Sequence, residues 1–159
     1  MDSIRLAFYR AEKGKWWDKL IGVRTGSRYS HVELVLPEGT CWSASPREAC
    51  VRGKRIDLGD GKWDVIQVRL RPDSHVGRME LFCRDQQGAR YDWPGVISIG
   101  LSPLPGVQIP QWWFCSEFVA AALRAGGVLR SLVPHQTRPD QLHQALLGWN
   151  DALSAGGDA

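Results

Sequence analysis

Residues 111–127, QWWFCSEFVAAALRAGG, constrain the fold of this 159-residue chain more than any other stretch. Pro110 blocks a helix that begins earlier, and an unbroken run of helix-forming residues follows Cys115. The apolar residues of this run recur at helical spacing and predict one buried face: Phe118, Ala121, Ala122 and Ala125. Because this face is mostly alanine, the helix can pack closely against a sheet, and the glycines at 126 and 127 predict its end.

Cys115 therefore lies at or just inside the N-terminus of the predicted helix. Unpaired backbone N–H groups and the positive end of the helix dipole favour a thiolate at that position. The alternative is that Cys115 is a small buried hydrophobic residue, as free cysteines usually are. A nucleophilic cysteine also needs a base, so the pattern directs attention to the histidines.

His31 is the candidate base. Residues 29–36, YSHVELVL, predict a strand in which His31 and Glu33 share one face, opposite Val32 and Leu34. The functional interpretation is a titrating pair that faces a cleft, and the alternative is the solvent face of an edge hairpin. The three other histidines are interpreted as surface residues: His75, His135 and His143.

The order of the predicted elements indicates an α+β domain. Strands are predicted over residues 3–9, 29–36, 40–45, 49–56 and 63–70, which together suggest an antiparallel meander. Further helices are predicted over residues 13–23, from 72–74 to about 87, over 95–101, and over 140–149 with Asp140 as the cap. We expect a single domain over residues 1–153 and a frayed tail over 154–159.

Composition limits the function classes. The net charge is only +3 and the basic residues are scattered, so nothing indicates nucleic acid as a partner. No apolar run approaches the roughly 20 residues of a membrane-spanning helix, and the first residues lack a signal-peptide pattern, which predicts a cytoplasmic location. The four cysteines show no zinc-binding spacing, so we expect free thiols and neither a metal nor another cofactor. A zinc site would need more ligands than one cysteine and one histidine.

Two segments in this order resemble the permuted branch of the NlpC/P60 papain-like superfamily. Ser30-His31-Val32-Glu33-Leu34 comes first, and Phe114-Cys115-Ser116-Glu117-Phe118-Val119 follows, with 84 positions between the histidine and the cysteine. This is the reverse of the order in papain. The tract Tyr91-Asp92-Trp93-Pro94-Gly95 also resembles the tyrosine-containing approach to the cysteine helix. The likeness runs from the first strand to Gly127, and it is closer to YiiX-like and bacteriophage-encoded members than to secreted wall hydrolases.

The resemblance implies a role for each matching residue. Cys115 matches the nucleophile and His31 the base, while Glu33 is the candidate for the group that orients His31. In much of the superfamily that third residue comes from the following strand, which here offers only Ser43 and Ser45. Tyr91 matches the family tyrosine and is a candidate second donor to the oxyanion, beside the Cys115 N–H. Trp113 is expected near the cleft as a substrate-binding wall, together with Trp93 and Trp112.

The implied fold is a papain-like antiparallel sheet or small barrel packed against the cysteine helix. The implied activity is a cysteine hydrolase of amide or ester bonds that works through a thioester, with a peptide, a peptidoglycan fragment or an acyl lipid as substrate. The alternative is a non-catalytic binding module or phage structural component on the same fold. Both remain open at the level of sequence.

Overall fold

The computed structural model describes residues 4–94 and 111–155. The strands in chain order are β1 (Ile4–Arg10), β2 (Tyr29–Val35), β3 (Cys41–Ser45), β4 (Cys50–Lys54), β5 (Trp63–Val68), β6 (Arg90–Tyr91) and β7 (Trp112–Trp113). The helices are α1 (Trp16–Thr25), α2 (Val76–Asp85), α3 (Cys115–Ala125) and α4 (Pro139–Ala155), with short 3-10 helices at Ala11–Lys13 and Pro134–Gln136. The predicted helix over 95–101 and the last four residues of the predicted tail lie outside the described residues.

The described strands form one mixed sheet in the order β5-β1-β2-β3-β4-β6-β7. Neighbouring strands are antiparallel except for β6 and β7, which are parallel. The predicted α+β class is confirmed, but the predicted meander holds only from β1 to β4. Strand β5 returns to pair with β1, which therefore has a strand neighbour on each side. The side chains of β1 are buried on both faces of the sheet, Leu6 on one and Ala7 on the other.

The main core lies between one face of this sheet and helices α2, α3 and α4. Its largest buried side chains come from both layers: Phe8, Leu6, Leu34, Met79, Phe118, Leu123, Leu142 and Leu146. Helix α3 is buried around most of its first two turns, whereas the prediction was a single stripe. This wide burial arises because α3 contacts the sheet, α2 and the segment before α4. Two residues of the predicted stripe, Ala121 and Ala125, are only half-buried. No helix among the described residues is long and apolar enough to cross a membrane.

The ends of α4 differ from the prediction. Asp140 lies in the first turn and does not cap the helix; the Gln141 side chain accepts the Arg138 N–H at 2.9 Å instead. The helix continues to Ala155, so Ser154 belongs to it and donates to the Asn150 carbonyl at 2.9 Å. His143 lies on the same helix. This residue is half-buried against Phe8 and bonds to the Tyr29 hydroxyl at 3.2 Å, which corrects its assignment to the surface.

Candidate active site

Strand β2 places His31 inside the protein. The register between β1 and β2 shifts at Tyr9 and Arg10, and His31 is the last residue in regular register before this irregularity. Bulges of this kind re-aim the neighbouring side chains. The His31 side chain is 12% exposed, and its ring meets the edge of Trp63 at 6.4 Å between centroids. Because β2 lies between β1 and β3, His31 belongs to an inner strand and not to an edge hairpin.

Glu33 is the nearest polar partner of His31. Its Oε1 lies 2.7 Å from Nε2 of His31, as the two-residue spacing on one strand allows. Glu33 is fully buried, so it faces the interior and not solvent. A buried carboxylate needs compensation. This identifies Glu33 as the group positioned to hold the orientation and tautomer of the imidazole.

Arg52 provides that compensation, and sequence reasoning missed it. Its two terminal nitrogens donate to the two Glu33 oxygens at 2.7 and 2.6 Å, the bidentate geometry typical of strong arginine–carboxylate pairs. Arg52 lies on β4 opposite Ser43 of β3, and β3 separates it from Glu33. The small serine leaves room for the long arginine side chain to reach across. The sequence offered no specific signal, because the predicted strand over residues 49–56 also contains Lys54 and Arg55.

Charges alternate outward from His31. Beyond Glu33 and Arg52 come Glu48, whose carboxylate lies 3.5 Å from Nε of Arg52, and Lys54, which also contacts Glu48. Burial raises the pKa of Glu48, but the contacts with Lys54 and Ser45 and the charge of Arg52 lower it to about 2. The five groups from His31 to Lys54 are thus a row of alternating cations and anions. An anion on the side of His31 away from Glu33 would extend this alternation of charges.

Cys115 lies on that other side. Burial lowers the pKa of His31, but the charge of Glu33, the interaction with the Cys115 thiol and the bond to Glu33 raise it, to about 9 overall. Nε2 is bonded to Glu33, which leaves Nδ1 for the thiol. Nδ1 has no hydrogen bond among the described residues, so a bond between Nδ1 and the Cys115 sulfur is not formed in this structure. Such bonds often align only when substrate is bound.

Helix α3 holds Cys115 rigidly. Phe114 is the extended residue that precedes the helix, and Cys115 is the first helical residue, 4% exposed. The next residue, Ser116, is fully buried and donates its hydroxyl to the Thr137 carbonyl at 2.7 Å. Because the N–H groups of a first helical turn have no partners within the helix, the Cys115 N–H is placed where an oxyanion would form beside the sulfur.

Tyr91 is brought to the same place by the parallel pairing of β6 and β7. It lies opposite Trp113, two residues before the cysteine, and the Asp92 N–H bonds the Trp113 carbonyl at 2.9 Å. Burial raises the pKa of Tyr91 well above its ordinary value, and the nearby Cys115, Asp92 and Asp18 raise it further. The phenol therefore keeps its proton and can donate a hydrogen bond. Trp93 packs on its ring at 5.0 Å between centroids and is 44% exposed.

The indole of Trp113 has a different position from the one expected. Its ring packs against Phe82 and Phe118, and its Nε1 donates to the Gln86 side chain at 3.0 Å. Trp113 therefore joins α2 to α3, and its N–H is already bonded within the protein. The physical reason is that side chains alternate along an extended pair, so the side chain of Trp113 turns towards the helices. Trp93 is the better candidate for contact with substrate.

A second buried carboxyl, Glu117, lies in the first turn of α3. Its position in the first turn complements the helix dipole, and its side chain is only 1% exposed. Burial raises its pKa, the Phe114 N–H lowers it and the charge of Asp92 raises it again, to about 7 overall. Neither of its oxygens has a hydrogen bond of good geometry among residues 4–94 and 111–155. A carboxyl in this setting is largely protonated in weakly acidic solution.

A small pocket of about 110 Å³ opens beside His31. Its walls include the charged row, the ring of Trp63 and Asp18 of α1. Within the part of the chain that the structure describes, no three side chains of the kinds that bind metals form a cluster. The side chains that the site brings together offer a thiol, an imidazole, a phenol and buried carboxyls.

No protein-family model and no curated protein significantly matches this chain. The chemistry of the described side chains is therefore what supports a function.

Proposed function

We propose that the protein is a cysteine hydrolase of amide or ester bonds, built on the permuted NlpC/P60 variant of the papain-like fold. One observation carries the proposal: Arg52 holds Glu33, Glu33 holds His31, and the free nitrogen of His31 adjoins a cysteine at a helix N-terminus. This is the arrangement of nucleophile, base and orienting group that covalent catalysis requires.

The resting state is a thiolate–imidazolium pair. With its pKa raised to about 9, His31 is protonated at neutral pH. A protonated His31 with Arg52 gives two buried cations, and Glu33 balances only one of them. A Cys115 thiolate balances the second, and the helix N-terminus supports the same charge. A neutral Cys115 thiol beside a protonated His31 would leave these buried groups with one excess positive charge.

Acylation begins when the Cys115 sulfur attacks the acyl carbon. The carbonyl oxygen becomes an oxyanion, which accepts hydrogen bonds from the Cys115 N–H and the Tyr91 hydroxyl. The imidazolium of His31 gives its proton to the departing amine or alcohol, and the C–N or C–O bond breaks to leave a thioester. Glu33 keeps the ring oriented throughout, while Arg52 keeps Glu33 ionised.

Deacylation returns the enzyme to its first state. Neutral His31 takes a proton from a water molecule that attacks the thioester, and the carboxylic acid leaves as the sulfur becomes a thiolate again. Trp93, exposed beside Tyr91, is placed to contact the substrate next to the scissile bond. The substrate classes are the three already named: a peptide, a peptidoglycan fragment or an acyl lipid.

The first experiment is the rate of Cys115 alkylation by iodoacetamide from about pH 4 to pH 10, with the adduct located by mass spectrometry. An ordinary thiol is only about 1% ionised at pH 6.5. We expect Cys115 to react through neutral and weakly acidic pH, and its rate near pH 6 to fall at least about tenfold in His31→Ala. Cys50, the half-buried cysteine on β4, provides the internal comparison in the same digest.

A second measurement separates a hydrolase from a non-catalytic module. A chromogenic ester should release about one equivalent of alcohol in a burst as the thioester accumulates, and Cys115→Ala should abolish the burst. Coincident alkylation profiles for the wild type and His31→Ala, together with no burst, would establish the alternative of a binding module.

A further inference from the structure

Helix α1 presents two large apolar side chains to solvent. Trp16 is 70% exposed and Val23 is 81% exposed. They are seven residues apart, and the exposed Lys19 lies between them, so the three side chains share one face of the helix. A surface helix of a soluble domain ordinarily turns its polar side outward, whereas the described side chains of α1 expose Trp16 and Val23 beside Lys19.

The inward side of α1 fixes this orientation. Asp18 is 5% exposed and accepts hydrogen bonds from the Lys15 N–H at 3.0 Å and from the Ser30 hydroxyl at 3.2 Å. Gly22, one turn later, is buried so closely that an added Cβ would lie 2.7 Å from the Ala11 side chain. Rotation of α1 to hide Trp16 would expose the Asp18 carboxylate and break both contacts.

Basic residues surround the exposed apolar side chains. Lys13, Lys15 and Lys19 are all exposed, and Arg28 after the helix is 66% exposed. The acidic side chains of this stretch are Glu12, which is exposed, and Asp18, which is turned inward. The surface therefore combines two exposed apolar side chains with positive charge between and beside them.

We propose that this surface, the α1 face (Trp16, Lys19 and Val23, with Lys13 and Lys15), docks on a membrane surface that carries anionic headgroups. Tryptophan favours the interface between headgroups and acyl chains, and lysines beside it bind anionic lipids. Neither Trp16 nor Val23 lines the pocket beside His31. Both side chains project from one helix, an arrangement that favours insertion into the interface of a lipid bilayer over binding in a groove of another protein.

Docking is independent of the proposed hydrolase activity. Asp18, on the inward side of α1, lines the same pocket as His31. A membrane on the outward side of α1 lies about one helix diameter, roughly 10 Å, from that pocket.

The test measures binding of the full chain to vesicles by co-sedimentation, with Cys115→Ser in every protein so that turnover plays no part. We expect binding to vesicles of phosphatidylcholine mixed with phosphatidylglycerol, loss of binding in high salt, and little binding to phosphatidylcholine alone. Trp16→Ser/Val23→Ser and Lys13→Gln/Lys15→Gln/Lys19→Gln should each weaken the affinity by at least about tenfold.

Leu81→Ser provides the matched control. Leu81 is 59% exposed on α2, so the change removes a similar apolar side chain from a different helix surface. The proposal is overturned if the parent protein does not bind the anionic vesicles, or if the α1 variants bind as Leu81→Ser does. It is also overturned if the parent is a dimer that Trp16→Ser/Val23→Ser dissociates, because the α1 face is then an interface between copies.

Discussion

At the scale of single residues, the site depends on the buried carboxylate of Glu33, which needs cationic partners to stay ionised. Glu33 is fully buried, and burial alone would favour its neutral form. His31 and Arg52 reverse this and lower the pKa of Glu33 below its ordinary value. The same carboxylate raises the pKa of His31, so the ionisation of the base depends on an arginine two strands away.

Arg52→Met tests this dependence through stability. Removal of the guanidinium leaves the Glu33 carboxylate with one partner fewer in the interior, and we expect the free energy of unfolding in urea to fall by about 3 kcal/mol. The double variant Glu33→Gln/Arg52→Met should lose less of its free energy of unfolding than Arg52→Met, because it no longer contains the Glu33 carboxylate that Arg52 pairs with.

Arg84→Met is the control for the loss of a salt-bridged arginine. Arg84 pairs with Glu80 on the surface of α2 and its side chain is 65% exposed, so we expect a change of at most about 0.5 kcal/mol. Similar losses for Arg52→Met and Arg84→Met would contradict the account of the buried pair.

The same residues show what the sequence can predict about a site. The relation between His31 and Glu33 is local, since alternation along one strand places both side chains on one face. The position of Cys115 follows from the residues around it, because proline and helix-forming residues mark where α3 begins. Arg52 could not be predicted, since its contact with Glu33 depends on strand register across β3. The burial of Glu117 could not be predicted either, because it depends on what packs around α3.

At the scale of elements, the hairpin of β3 and β4 positions Arg52 at the site. One glycine of β4, Gly53, allows the Trp42 ring of β3 to pack closely against the strand. Gly53 lies opposite Trp42 in the sheet. An added Cβ at Gly53 would lie 2.6 Å from the Trp42 ring. Trp42 is 5% exposed and belongs to the main core, so the ring cannot easily move aside.

Gly53→Ala should therefore destabilise the protein by about 1–3 kcal/mol, the usual effect of overpacking a core, when it is measured by urea unfolding. Gly148→Ala is the matched control: nothing lies within 4 Å of its added Cβ, and it lies in α4. There alanine should leave stability unchanged or raise it by up to about 1 kcal/mol. A loss of the same size in both variants would show that contact with Trp42 is not the cause.

The elements themselves were predictable where periodicity was strong. Strand β2 was expected over residues 29–36 and spans Tyr29–Val35, and the helix expected at Cys115 is α3. The two-residue strands β6 and β7 have no periodicity to detect, yet their pairing places Tyr91 beside the cysteine. The pairing of β5 with β1 was also missed, because strand order depends on contacts between segments that are distant in the sequence.

At the scale of the whole molecule, the folded state binds protons that the unfolded chain releases. Two buried groups have raised pKa values: His31, at about 9, and Glu117, at about 7. For a group whose pKa is raised by folding, stability falls as the pH rises from the unfolded to the folded value. Glu117 takes no part in the proposed ion pair, so its own contribution can be isolated by substitution.

Glu117→Gln should therefore remove the contribution of this carboxyl to the pH dependence of the free energy of unfolding. The ordinary pKa of the carboxyl is 4.5 and its folded value is about 7, so Glu117 costs the wild type about 3 kcal/mol as the pH rises through that range. Glutamine has a similar shape and does not titrate, so the stability of the variant relative to the wild type should rise between about pH 4.5 and 7 and then level off.

Urea unfolding of both proteins at a series of pH values measures this difference directly. The effects of His31 and of the surface carboxyls occur in both proteins and cancel in the comparison. Glu80→Gln, which changes a carboxyl on the surface of α2, serves as the control and should differ from the wild type by a nearly constant amount. If the difference between Glu117→Gln and the wild type were equally independent of pH, Glu117 would be ionised throughout. The buried carboxyl beside Cys115 would then need a cationic partner of its own.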